Sequence, residues 1–252
     1  MNFVKTIIVA IAVLFGATLA QATDLTAMSD AERTSFQAEV RAYLLSNPEV
    51  ILEAIQVLEE RQAVAEAQGD AQLVEDNFEE LVNDGYSWVG GNPDGAITVV
   101  EFSDYRCAFC KRAHPEVLAL LEANDDVRLV MKEFPILGPD STLASKAALS
   151  ILVNQGDEIY EKFHDLLMTH NGAVNINNLS RLAVEAGGDG DLMEAHMEDQ
   201  VIAQMIAKNH ALGQRMNISG TPSFLIGTEM LRGFVPVAGM QTMVDNARAQ
   251  LQ

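Results

Sequence analysis

The sequence predicts an α/β protein: a mixed sheet with a helical insertion, preceded by an N-terminal helical segment. Three observations predict it. Hydrophobic periodicity runs strand, helix, strand, then a long helical stretch, then strand, strand, helix. The run Ala96–Phe102 (AITVVEF) is apolar and β-branched, as a strand buried on both faces is. Residues 23–85 carry fifteen acidic residues against three arginines and no lysine, with apolar positions at helical spacing. The whole chain has 252 residues, 36 Asp+Glu against 16 Lys+Arg, a formal net charge of −20 and two cysteines. At 48% hydrophobic residues it can bury a core, which argues against wholesale disorder. The acidic balance argues against nucleic acid as a partner and against docking on anionic lipid. Two cysteines are too few for a disulfide-stapled scaffold or a four-cysteine zinc site.

The elements follow in chain order. Residues 1–22 combine Lys5, an apolar stretch from Ile7 to Leu19 and the ending Ala20-Gln21-Ala22, the pattern of a secretory signal peptide. A peripheral association with the outer membrane is left open, and export places the two cysteines in an oxidising compartment. Asp30 is expected to cap a first helix striped by Phe36, Val40, Tyr43 and Leu44. Ser46-Asn47-Pro48 ends it, with Asn47 expected as N-cap of a second helix striped by Ile51, Ala54, Ile55 and Leu58. After an interruption at Gly69-Asp70, Val74, Phe78, Leu81 and Val82 stripe a third. Such narrow stripes need a partner. Residues 23–85 are expected either to pack on the main domain or to form a homo-oligomer through these stripes. Gly85 to Gly95 reads as a turn-rich connector. The main domain, 86–252, then has the strand 96–102, a helix from about Cys107 to Asn124 and a strand Val127–Phe134. A helical insertion spans about 141–216. Short strands at Pro222–Ile226 and Met230–Val235 and a closing helix from Val237 complete it.

The chemistry is expected at Cys107-Ala108-Phe109-Cys110. A C-x-x-C pair alone is also half of a metal site, but this one follows a buried strand and opens a helix. There the unpaired N–H groups and helix dipole favour an anion, so Cys107 should be an exposed thiolate of lowered pKa. Cys110, one turn in, should be the more buried resolving thiol. Arg106 and Lys111 add local positive charge favouring the thiolate. Glu101, in the apolar strand before the cysteines, can be a buried carboxyl of raised pKa or a surface acid at a strand end.

Val99-Val100-Glu101-Phe102-Ser103-Asp104-Tyr105-Arg106-Cys107-Ala108-Phe109-Cys110 resembles the active-site strand and helix of DsbA-like thioredoxin-fold proteins. Ile218-Ser219-Gly220-Thr221-Pro222-Ser223-Phe224-Leu225-Ile226 resembles their second motif, and the resemblance covers about Asn92 to Gln252. The acidic preamble resembles the N-terminal segment of the suppressor-of-copper-sensitivity C type. The resemblance implies a thioredoxin-like fold and a periplasmic thiol-disulfide oxidoreductase that forms, reduces or isomerises disulfides in secreted proteins. A membrane redox partner would reset it, with no cofactor and no resident metal. It also implies that Pro222 is a cis proline facing Cys107 and Cys110, and that Thr221 offers backbone hydrogen bonds to substrate. Glu101 would exchange a proton with the resolving thiol, and Phe109 would add apolar substrate-binding surface. The strongly oxidising members carry Pro-His where this chain has Ala108-Phe109. Phe109 cannot donate a hydrogen bond, so the helix terminus is expected to supply most of the Cys107 pKa depression, and the couple to be less oxidising than theirs.

Other candidates compete. His114 lies four residues after Cys110 and could complete a Cys-Cys-His metal site. Met193, Met197 and Met205 flank His196 and suit Cu(I), but their helical spacing suits core packing. Copper could also bind at the reduced Cys107/Cys110 pair, where two thiolates meet a soft ion, and the alternative function is a periplasmic copper-binding or chaperone-like protein without turnover.

Overall fold

The computed structural model describes residues 28–251; the expected signal peptide lies outside the described residues. The described residues form two compact units that divide between Glu59 and Glu60.

In the first unit, α1 spans Asp30–Ser46. Its N-cap is Ser29 rather than Asp30. The Ser29 hydroxyl accepts from the Glu32 N–H while the Glu32 carboxylate takes the Ser29 N–H at 2.8 Å, a capping box that Asp30 could not form from inside the helix. Asn47 does not cap the next helix: its side chain and its N–H both donate to the Tyr43 carbonyl, closing α1. The helix α2 spans Glu49–Val82 without a break at Gly69. One glycine costs a helix only about 1 kcal/mol, which the Ala- and Glu-rich flanks absorb.

The second unit is built on five strands, β1 (Trp88–Gly91), β2 (Ile97–Ser103), β3 (Val127–Glu133), β4 (Ser223–Ile226) and β5 (Glu229–Arg232). Their spatial order is β1-β3-β2-β4-β5, with β2 parallel to β3 and the other pairs antiparallel. The strand β1 falls in the expected connector. Its pairing with β3 (Trp88 opposite Met131) makes a strand of a segment too glycine-rich to read as one.

Seven helices follow the first two: α3 (Ala108–Ala123), α4 (Pro139–Gln155), α5 (Asp157–Thr169), α6 (Ile176–Glu185), α7 (Gly190–His196), α8 (Gln200–Arg215) and α9 (Val237–Gln250). On one sheet face Val99, Leu129, Met131 and Phe224 pack in the larger core with residues of α3, α4, α5 and α9. On the other, Val100, Phe102, Val130 and Leu225 meet Val74, Leu81 and Val82 of α2 and Leu212 of α8. Both faces are covered, hence the continuous apolar run of β2. Buried Lys132 on β3 donates to the Glu80 carbonyl at 2.8 Å and the Asp84 carboxylate at 2.5 Å, tying the end of α2 to the sheet. Met193, Met197 and Met205 are buried among apolar neighbours, and His196 pairs with Asp199 at the surface.

Candidate active site

The strand β2 delivers the chain to the sheet end where α3 begins. There Cys107 is the N-cap, with an extended backbone, and its sulfur accepts from the Cys110 N–H at 3.4 Å. A β-region N-cap whose side chain turns back to the helix is the usual capping geometry, here with sulfur in the place of oxygen. The antiparallel pairing of β2 with β4 sets Phe102 opposite Ser223. That register brings the preceding loop, with its cis Thr221–Pro222 peptide, onto the cysteines. The Cys107 sulfur lies 3.1 Å from the Thr221 carbonyl, to which it donates when protonated. The loop covers the sulfur, so Cys107 is only 7% exposed, not the open anion expected, and Cys110 is wholly buried.

Both cysteines are free thiols, yet their environments differ. The hydrogen bond from the Cys110 thiol, above all, lowers the Cys107 pKa to about 5. Burial opposes it, and the Thr221 side chain and the N–H groups of Cys110 and Phe109 add to it. The helix terminus is therefore a secondary cause, not the main one expected. The same hydrogen bond, burial and the Glu101 charge push the Cys110 thiol up.

Glu101 is 2% exposed on β2, and burial raises its pKa to about 7; the Ser103 hydroxyl and His114 oppose, and the Glu133 and Cys107 charges add to the rise. Of the two readings of Glu101, the structure gives the buried one. Pro222 is buried next to Thr221, whose carbonyl meets Cys107; Thr221 is half-buried, and Phe109 is 54% exposed. Lys111 does not face the thiolate. Its ammonium donates to the carbonyls of Leu167 and His170 at the C-terminal end of α5, where a cation suits the helix dipole. Burial, then Arg106, lowers its pKa. The His114 Nε2 lies 3.2 Å from Asp165. Among the described residues no group of three or more His, Cys, Asp or Glu could hold a metal ion.

Two features escaped the sequence reading. Buried Asp104 accepts from the N–H groups of Arg106, Ile136 and Leu137 and from the Ser141 hydroxyl, so one carboxylate fixes the loop before Cys107 and the turn after β3. An Asp three residues before a helix-opening cysteine is a turn-former, the one sequence clue to it. Glu133 accepts from the hydroxyls of Tyr105 and Tyr160, each at 2.6 Å, and of Ser145 at 2.7 Å. The Tyr105 oxygen also lies 2.9 Å from His164 Nδ1, which donates, since the tyrosine's one proton goes to the carboxylate.

Residues 83–246 match the family model described as thioredoxin, and residues 32–65 match the copper resistance protein ScsC N-terminal domain. A thioredoxin-like oxidoreductase from Silicibacter pomeroyi is 41% identical, covers 68% of this chain and 97% of its own, and superposes with a TM-score of 0.64. ScsC of Proteus mirabilis in a transitional conformation is 27% identical, over 88% of this chain and 100% of that one, with a TM-score of 0.66. Disulfide bond formation protein D of Bacillus subtilis is 25% identical over 57% of this chain and 69% of its own. Curated Na(+)/H(+) antiporters of Salinispora match at 29% identity over 64% of the chain, which spans about a quarter of their length.

Proposed function

Since the chain belongs to the DsbA/ScsC-type thioredoxin-fold family, we propose that it is a periplasmic thiol-disulfide oxidoreductase acting on cysteine-containing secreted proteins through Cys107 and Cys110. One observation carries this reading: the two free cysteines open a helix beneath the Thr221–Pro222 loop, with the Cys107 sulfur accepting the Cys110 N–H at 3.4 Å, an arrangement that lowers its pKa to about 5. A thiol so depressed is both a ready nucleophile and a good leaving group at neutral pH.

In the oxidising direction a substrate thiolate attacks Cys107 Sγ of the Cys107–Cys110 disulfide. The S–S bond breaks, and Cys110 leaves with the bonding pair and takes a proton from Glu101. The substrate's second thiolate then attacks its own sulfur in the mixed disulfide and releases Cys107 as thiolate. Two electrons have passed to the protein, which a membrane redox partner removes. In the reducing or isomerising direction the Cys107 thiolate attacks first. In both, Pro222 and Thr221 present the loop against which substrate backbone lies, and Phe109 supplies apolar contact. Refolding of scrambled ribonuclease tests the reading: Cys107→Ser loses the activity. A copper-binding or chaperone-like protein without turnover would keep its effect in that variant.

A second reading, an isomerase working as a homo-oligomer, is favoured by the first unit. Tyr43 and Leu45 on α1 and Leu52 on α2 are 58%, 69% and 69% exposed, a surface that self-association would cover. Light scattering on the mature chain gives a multiple of the chain mass on this reading; a monomer leaves the oxidase.

A further inference from the structure

We propose that the rim around Cys107 is a docking surface for segments that carry acidic and apolar side chains beside their reacting cysteine. The proposal rests on the thiol-disulfide reading and narrows its substrate class. Carboxylates outnumber cations more than twofold in this chain, yet from Tyr105 to Pro115 there is no acidic residue and there are three cations. Lys111 is engaged with helix carbonyls, which leaves two guanidinium groups. Arg112 is exposed and, like Arg61, Arg128 and Lys208 of the same unit, has no carboxylate within 4.0 Å among the described residues, whereas six other cations of that unit each hold one within 3.1 Å. Its guanidinium lies 4.5 Å from the Phe234 ring centroid and 5.6 Å from that of Phe109, so two aromatic faces hold it in place without neutralising it. Arg106 has one long contact, 3.9 Å to exposed Asp140. Of the other acids nearby, Glu116 accepts the Val237 N–H at 2.8 Å and Asp165 lies 3.2 Å from His114 Nε2.

Apolar groups alternate with these cations. Phe109 and Leu137 are each 54% exposed, and Asp104 fixes the Leu137 and Arg106 backbones together. A guanidinium held in place but left without a carboxylate is suited to one supplied by a partner. The net charge of −20 predicts the opposite preference, for basic segments. At physiological ionic strength, however, the screening length is about 8 Å, so the charges within that range of the reacting sulfur, not the net charge, set the preference.

The experiment uses three peptides of one leucine-containing sequence whose residues flanking the single cysteine are Asp, Asn or Lys, each disulfide-bonded to a small neutral thiol. Mixed with the reduced full chain, Cys107 Sγ attacks the peptide sulfur and the neutral thiol leaves, protonated by water. Cys110 then displaces the peptide as its thiol, and two electrons have passed from protein to peptide. At 0.15 M salt the Asp peptide should react about tenfold faster than the Lys peptide. At 1 M salt the ratio should fall towards one. Arg112→Gln should bring the ratio at 0.15 M below about three, and Arg112→Lys should keep most of it, a comparison internal to each variant. A ratio at or below one with the Asn peptide still reactive overturns the proposal. An unreactive Asn peptide overturns the thiol-disulfide reading itself.

Discussion

Two buried carboxyls on neighbouring strands have opposite surroundings. Glu101 on β2 and Glu133 on β3 are each 2% exposed, and burial lifts each to a pKa of about 7. Around Glu133 three hydroxyls converge from the loop after β2, from α4 and from α5. Such a cage ties those elements to the sheet and leaves the carboxyl no partner to serve. Glu101 instead lies within the field of the two sulfurs and of His114. Burial makes a carboxyl able to hold a proton near neutrality, and its neighbours decide whether that proton has a destination.

The contrast breaks first at the sulfur. Cys107→Ser should slow thiol-disulfide exchange at least about a thousandfold, measured with a peptide disulfide. Activity surviving that change would leave Glu101 with nothing to protonate. Next, Glu133→Ala orphans three buried hydroxyls and should cost about 3 kcal/mol or more in urea unfolding. The rate per folded molecule should not change; a lost rate would put Glu133 in the chemistry and erase the distinction. Glu101→Gln, by contrast, should lower exchange at pH 7 by about a hundredfold.

Stability against pH sharpens the same point in the oxidised protein, where the sulfurs do not titrate. Between its unfolded value and about 7, Glu101 is protonated when folded and ionised when unfolded. The unfolded state binds fewer protons, so stability falls as pH rises through this window and levels off above it. Glu101→Gln should remove its own share of that fall, about 3 kcal/mol, and leave the share of Glu133; equal slopes in the two proteins would count against a buried, titrating Glu101. The smallest effect is at the second sulfur. Cys110→Ala removes the main hydrogen bond to Cys107, and the thiolate absorbance at 240 nm should then titrate about one pH unit or more above 5. An unmoved midpoint would assign the depression to the helix terminus alone.

What the sequence discloses here is what is local. The strand β2, the helix opened by Cys107 and the order of elements follow from apolar spacing and from Ser, Asn, Gly and Pro placement over a few residues. The Glu133 cage gathers side chains 12, 27 and 28 residues away, and no periodicity announces such a meeting. The strand β1 is missed because Trp88-Val89-Gly90-Gly91 has only two apolar residues; its partner β3 makes it a strand. Gly69 misleads in the other direction, because a local helix breaker is overridden by the length around it. At the site, the positions of Cys107, Cys110 and the Thr221-Pro222 loop are legible. The cover over Cys107 and the turn of Lys111 towards α5 are not, since both depend on where another element ends.

The unequal sulfurs also fix a stoichiometry. With Cys107 ionised and Cys110 protonated at neutral pH, closing two electrons into the pair takes up one hydrogen ion, where two ordinary thiols take up two. The midpoint voltage should then drift by only about 30 mV for each unit of acidity, half the ordinary slope, so the balance between donor and acceptor responds weakly to acidification of the surroundings.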